Sequence, residues 1–471
     1  SKTTKEIPLG NYEYIPRIKW SHDDTFLVAT TLNRHQNNLK LHKINASKSS
    51  VSLLLNETDK AYIDITDNLI FLADNSFIWT SEKEGYNHIY HYDFGGKLVN
   101  KITKGNWEVT KYYGFNESKK TIYYQSVENG STNRGVYSIG LNGRNKKFLS
   151  TKNGQNTAAF SKNLNYFINT FSSSETPPVY SLFSSEGEML KIIKENIALK
   201  ETLSKYTLSP KEFSTITING NNLNMWMIKP ANFDKNKKYP LLLFQYSGPG
   251  SQQVGNKWNS SNDYWHNMLA QKGVIIACID GRGTGFKGAD FKKSTYLNLV
   301  KYETEDQISV AKEMASRAYI DENNIGIWGW SFGGHMSTNA LLKGNDIFTM
   351  AIAVAPVTSW RFYDTIYTER FLRTPQENPG GYDENSPVNY AEKLKGNYLL
   401  VHGTGDDNVH VQNSYRMINS LIEANKQFDM FIVPDRTHGI YKGKNTRLNL
   451  YTKMTSFIEE NLHTKSEKSS K

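Results

Sequence analysis

An aromatic residue, a polar turn cluster and a short β-prone run recur four times in the first two hundred residues, and this repeat restricts the fold more than any other feature. Trp20-Ser-His-Asp-Asp24 leads into Thr25–Ala29, Phe71-Leu-Ala-Asp-Asn75 into Ser76–Thr80, Phe115-Asn-Glu-Ser-Lys119 into Lys120–Tyr124, and Phe160-Ser-Lys-Asn-Leu164 into Asn165–Asn169. The leading aromatics stand 51, 44 and 45 residues apart. A period of about 40–50 residues with several strands per unit predicts a β-propeller. Glycine hairpin turns fit inside the units at Phe94-Gly-Gly-Lys97 and Leu141-Asn-Gly-Arg144. The alternative is a non-repeating β-sandwich whose turns align by accident. About four blades are countable by this period, so a ring with more blades would have its first ones outside these residues.

From about Lys205 the pattern changes. Pro240–Gln245, Val274–Ile279, Ile325–Trp328, Met350–Val354, Tyr398–Val401 and Phe428–Val433 are short, nearly continuous apolar runs, as strands buried on both faces require. Helix-capable stretches separate several of them: Glu303–Arg317, Val411–Ala424 and Arg447–Leu462. Strands alternating with helices predict a doubly wound, mostly parallel sheet. The expected division is therefore propeller blades over 1–204 and an α/β domain over 205–471.

Composition narrows the class of partner. The net charge is +10, but Lys and Arg are scattered in ones to threes beside acids, which describes a basic surface better than a nucleic-acid site. The single Cys278 excludes an intrachain disulfide and a cysteine zinc site; within Val274–Ile279 it reads as a core thiol. No run of about 18 apolar residues is present, so no membrane-spanning helix is expected. Ser1-Lys-Thr-Thr-Lys-Glu6 has neither an initiating Met nor an apolar region and reads as a processed or cut end.

The strongest chemical signal is Gly329-Trp-Ser331-Phe-Gly333, between the run Ile325–Trp328 and the helix-capable Gly334–Lys343. A serine on a strand-to-helix turn this tight needs glycines two residues to either side, and the turn exposes its hydroxyl as a nucleophile. The base and its orienting acid should follow in the order Ser, Asp, His. His402 precedes the acids, His410 lies four residues past Asp406, and His463 is in a polar tail. His438, in the loop after Phe428–Val433, remains as the base, the alternative being a surface histidine. Asp406 and Asp407 are both candidate acids, and spacing does not choose between them. For the oxyanion, the Phe332 N–H directly follows the nucleophile, and Tyr246 after the run Pro240–Gln245 is a candidate side-chain donor or else a core aromatic. Gly281-Arg-Gly283-Thr-Gly285 lacks the dinucleotide spacing and reads as a turn. The cluster Glu303, Glu305 and Asp306 reads as a solvated helix start rather than a metal site.

With these residues in place, the chain resembles the prolyl oligopeptidase family of serine peptidases, and within it the dipeptidyl peptidase IV branch. The likeness rests on Trp328-Gly-Trp-Ser-Phe-Gly-Gly334, Tyr246-Ser-Gly-Pro-Gly-Ser-Gln252, Asp280-Gly-Arg-Gly283, His402-Gly-Thr-Gly-Asp-Asp-Asn-Val-His410 and Asp364-Thr-Ile-Tyr-Thr-Glu-Arg370, with Glu84-Gly-Tyr-Asn-His88 and Lys104-Gly-Asn-Trp-Glu-Val109 in the repeat region. The resemblance implies an eight-bladed propeller capping an α/β-hydrolase domain. It implies Ser331, Asp406 and His438 as the triad, Tyr246 and Phe332 as oxyanion donors, an S1 pocket of Val357, Trp360, Tyr363, Tyr367 and Val409, and Asn408 on a substrate carbonyl. Phe332 stands where the family usually has Tyr. The paired-glutamate segment by which the branch holds a substrate amine is absent from these residues and is expected in the missing blades.

The implied activity is release of X-Pro or X-Ala dipeptides through an acyl-enzyme, with no cofactor or metal. A homodimer is compatible with it. A prolyl endopeptidase or acylaminoacyl peptidase is the competing enzyme reading. A binding protein on the same scaffold is disfavoured by the intact Ser331, Asp406 and His438. One cysteine and a cut N-terminus fit a bacterial periplasmic or surface location.

Overall fold

The computed structural model describes residues 4–150, 152–258 and 260–462; His463 lies outside them. The chain forms two compact units: 1–199 with the short segments 255–258 and 286–293, and 200–254 with 259–285 and 294–471.

The first unit holds four antiparallel four-stranded sheets, each with its strands in chain order. They comprise Tyr14–Trp20 to Ser50–Thr58, Ile70–Phe71 to Leu98–Lys101, Val109–Asn116 to Lys147–Phe148, and Gln155–Phe160 to Met189–Lys194. The sequence repeat falls at one place in all four, the turn between first and second strands. Polar side chains there satisfy the turn backbone: Phe26 N–H donates to Ser21 Oγ at 3.0 Å and Tyr166 N–H to Ser161 Oγ at 3.2 Å. One non-glycine residue per turn is left-handed, namely Asp24, Asn75, Lys120 and Leu164. Successive sheets pack through apolar faces. Ile78 and Ile89 of the second meet Ile122, Tyr124 and Ile139 of the third, and Tyr123 and Val136 meet Phe167 and Phe183 of the fourth. These are consecutive blades of a partial β-propeller.

The second unit is built on one eight-stranded sheet. Its strands are β1 (Glu212–Ile218), β2 (Asn221–Ile228), β3 (Tyr239–Phe244), β4 (Ile275–Asp280), β5 (Ile320–Trp330), β6 (Met350–Val354), β7 (Asn397–Gly403) and β8 (Asp429–Val433), in the order β1-β2-β4-β3-β5-β6-β7-β8. β3 to β8 are parallel; β1 is antiparallel to β2, and β2 to β4. β3, β4 and β6 are buried along their whole length, which is why they read as unbroken apolar runs. Helices α1 (Ser260–Gln271) and α6 (Thr446–Asn461) cover one face through Trp265, Leu269, Met454 and Phe457. α2 (Lys301–Ala315) and α3 (Phe332–Lys343) pack on β5 and on each other. The completed set includes α4 (Thr365–Leu372) and α5 (Gln412–Glu423). This is an α/β-hydrolase sheet, and loops leaving the carboxyl ends of β5, β7 and β8 carry the candidate site. Among the described residues no helix is long and apolar enough to cross a membrane.

One expectation is overturned. The start of α2 is not solvated: Glu303 and Asp306 are fully buried, and only Glu305 is exposed. Arg282, in the turn Gly281–Gly285, donates from Nη2 to Asp306 Oδ1 at 2.7 Å and from its backbone N–H to Oδ2 at 2.8 Å. That pair draws the helix start inward and takes Glu303 with it. The Glu303 carboxyl has no hydrogen-bond partner of normal geometry, and burial pushes it up to about 8.

Candidate active site

β5 ends at Trp330 and α3 begins at Phe332, so Ser331 makes the whole turn, at φ 60° and ψ −117°. A left-handed backbone costs a non-glycine residue of order 1–3 kcal/mol and is kept where surroundings enforce it. Here Ser331 N–H donates to Val354 O at 2.8 Å. A Cβ at Gly329 would lie 2.4 Å from Gly333 O, and one at Gly333 would lie 2.6 Å from Gln245 O. Both positions exclude any side chain, as the sequence motif requires. The Phe332 N–H, at the first turn of α3, has no intrahelical acceptor.

The two candidate acids have different surroundings. Asp406 is buried after β7, and its Oδ2 lies 2.8 Å from His438 Nδ1. Its Oδ1 accepts the N–H groups of Asn408 and Val409, each at 2.9 Å. Burial alone would raise this carboxyl; the donors from His402, His438 and Asn408 outweigh it and hold it well below the usual carboxylate range. Asp407 is exposed and accepts the backbone N–H of His438, at 3.4 Å. With Nδ1 engaged, Nε2 is the nitrogen of His438 available to a serine. The Trp330 indole donates to His438 O at 3.0 Å, holding this loop against the residue before Ser331. His410 accepts the Gln412 N–H at 3.2 Å and takes no part.

Tyr246 lies beside Ser331; burial pushes its hydroxyl up, against the opposing effect of the Ser331 side chain, so it keeps the proton it would donate. The predicted pocket residues converge. Trp360 packs on Phe332 (ring centroids 5.5 Å apart), stacks with Tyr367 (6.0 Å) and meets Tyr363 edge to face (5.9 Å). Val357, Trp360 and Val409 are buried walls, and Tyr363 and Tyr367 are half-buried. The Tyr363 hydroxyl, pushed up to about 12 by burial, donates to Asn408 Oδ1 at 2.7 Å, so the Asn408 carbonyl is engaged by the pocket and its amide N–H groups are not needed for that bond.

The chain matches the model of the prolyl oligopeptidase family over residues 258–465 and that of the dipeptidyl peptidase IV N-terminal region over residues 1–178. The chain belongs to the prolyl oligopeptidase family. It is similar to the solved dipeptidyl peptidase 4 of Porphyromonas gingivalis, at 45% identity and a TM-score of 0.92 over 95% of this chain and 64% of that one. It is 34% identical to a probable dipeptidyl-aminopeptidase B of Phaeosphaeria nodorum over 94% of this chain and 51% of the relative. A probable dipeptidyl-aminopeptidase B of Botryotinia fuckeliana is 36% identical over 82% of this chain and 42% of its own length. The chain thus spans about half the length of the curated relatives it matches.

In this prolyl oligopeptidase family member the structure adds residues to the site that the sequence reading passed over. His402, excluded there as a base, is the second imidazole on Asp406, with Nε2 3.0 Å from Oδ2. His335 is buried in α3 and stacks on Trp360 with centroids 5.3 Å apart; burial lowers it to about 3, so it is a neutral floor beneath the aromatic cluster. Asn413 accepts the Thr358 N–H at 2.9 Å, tying α5 to the wall at Val357–Trp360. His402 had a signal: it lies near the end of the strand from which Asp406 departs. His335 had none, since its stacking partner Trp360 lies 25 residues on, in the segment after β6.

Proposed function

We propose that the chain is the catalytic portion of a serine dipeptidyl exopeptidase that releases X-Pro or X-Ala from peptide N-termini, with residues 1–204 as propeller blades and 205–471 as the catalytic domain. The observation that carries this reading is the Asp406–His438 contact of 2.8 Å, on a loop tied to the turn that bears Ser331. His438 Nε2 takes the Ser331 proton as Oγ attacks the carbonyl of the second substrate residue. Charge developing on the carbonyl oxygen is met by the Tyr246 hydroxyl and the Phe332 N–H. The proton then passes from His438 to the leaving amine, and water releases the dipeptide by the same route in reverse. A pocket of Trp360, Tyr363 and Tyr367 suits a flat pyrrolidine ring, whose nitrogen carries no N–H that would need an acceptor. Asn408, its own carbonyl engaged by Tyr363, is the donor for a substrate carbonyl.

The expected partners are proline-containing peptides, the remaining propeller blades and a second copy of the chain. The lone buried Cys278 and the bacterial origin of the solved relative favour a periplasmic or surface location. The test is a pair of substrates given to the full-length protein. A Gly-Pro amide should be cleaved and its N-acetyl form should not, because acetylation removes the ammonium that anchors an exopeptidase substrate. Comparable rates on both would replace this reading with an endopeptidase.

A further inference from the structure

We propose that His402, held by Ser414, is a positioning residue that fixes the Asp406 carboxylate for His438; this rests on Asp406 being the triad acid. Oδ1 of Asp406 is pinned by two backbone N–H groups, but those leave the carboxylate free to swing about an axis through that oxygen. The place of Oδ2 is set by side chains, and two imidazoles share it: His438 Nδ1 at 2.8 Å and His402 Nε2 at 3.0 Å. They are unequal partners. The His438 side chain is 22% exposed, on the loop after β8; the His402 side chain is fully buried, on strand β7, which is paired on both sides by β6 and β8. His402 is the fixed one.

Its tautomer follows from its neighbours. Nε2 also lies 2.9 Å from Val409 O, so it faces two acceptors and must carry the proton. Ser414 Oγ, on the first turn of α5, lies 2.6 Å from Nδ1 and donates to it. Ser414 therefore holds the proton on the nitrogen that faces Asp406. The same N–H holds the carbonyl of the pocket wall Val409. The adjacent Asn413 accepts both the N–H and, at 2.6 Å through its carbonyl, the hydroxyl of Thr358. One helical turn thus supports the acid and the S1 wall together.

The experiment measures second-order inactivation of the 471-residue chain by a fluorophosphonate, which needs an activated serine but no peptide recognition. His402→Leu should slow inactivation by about 10–100-fold, the scale for partners that orient a reacting group. His402→Gln, whose amide can reach the same oxygen, should recover most of that loss, and the low-field proton signal of the His438–Asp406 bond should persist in it and vanish in His402→Leu. A merely structural role would leave Leu and Gln equivalent, and that result overturns the proposal. If His402→Leu does not fold, Ser414→Ala decides: about fivefold slower inactivation supports the proposal, as a lost hydrogen bond worth about 1 kcal/mol predicts, and an unchanged rate overturns it. Asp406→Asn separates the two claims. A parental rate there defeats the acid assignment itself, whereas a loss near 10⁴-fold beside an unaffected His402→Leu defeats the positioning role alone.

Discussion

Glu303 should make the catalytic unit less stable as pH rises, and Glu303→Gln should remove the effect. The folded carboxyl titrates at about 8 against an ordinary 4.5. A folded value raised in this way means that the folded state keeps a proton the unfolded chain releases between those two pH values. Stability from this group is intact below pH 4.5 and declines as pH climbs to 8. At pH 7 the difference is roughly 2.5 units, or about 3 kcal/mol at about 1.4 kcal/mol per unit. The side chain is fully buried and its oxygens lack partners of normal geometry, so an amide of the same shape avoids the ionisation cost without opening a cavity. The assay is urea unfolding of parent and Glu303→Gln at pH 5 and pH 7.5, following the transition of the α/β unit. The parent should lose about 3 kcal/mol relative to the variant between the two. Parallel losses would show that Glu303 is solvated or paired when folded, and would refute the reasoning.

Gly333→Ala should lower stability by about 1–3 kcal/mol, the cost of overpacking, because its Cβ would meet Gln245 O at 2.6 Å and Tyr246 Cα at 3.2 Å. Thermal midpoints measure this, and a parental midpoint would mean the elbow is looser than described. Tyr246→Phe removes the hydroxyl beside Ser331 and should cost about 10²–10³ in turnover at an unchanged midpoint, as loss of one oxyanion donor does; parental turnover on an X-Pro amide would pass that role to another group.

The four blades were legible because each turn between first and second strands needs the same polar residues and one left-handed position, whatever the strands around it. The α/β strands were legible because burial on both faces leaves no polar alternation. The β1–β2 hairpin was not read, although Asn219-Gly220 between two β-prone runs is a two-residue turn signal. Glu303 misled because three acids at a helix start normally seek water. What draws Asp306 inward, with Glu303, is Arg282, reaching Asp306 from a turn 24 residues earlier, and no local pattern contains that contact. Asp406 and Asp407 differ in the same way. They are adjacent and chemically identical in sequence, but β7 turns one inward to two imidazoles and leaves the other in solvent.

The most direct measurement is the site of covalent labelling. The 471-residue chain and its Ser331→Ala variant are treated with a fluorophosphonate, digested, and the modified peptide is mapped by mass spectrometry. A serine peptidase built as described here takes one label, on Ser331, and Ser331→Ala takes none while keeping its thermal midpoint. A label on any other serine, or equal labelling of the variant, would contradict the assignment of the nucleophile and with it the proposed mechanism.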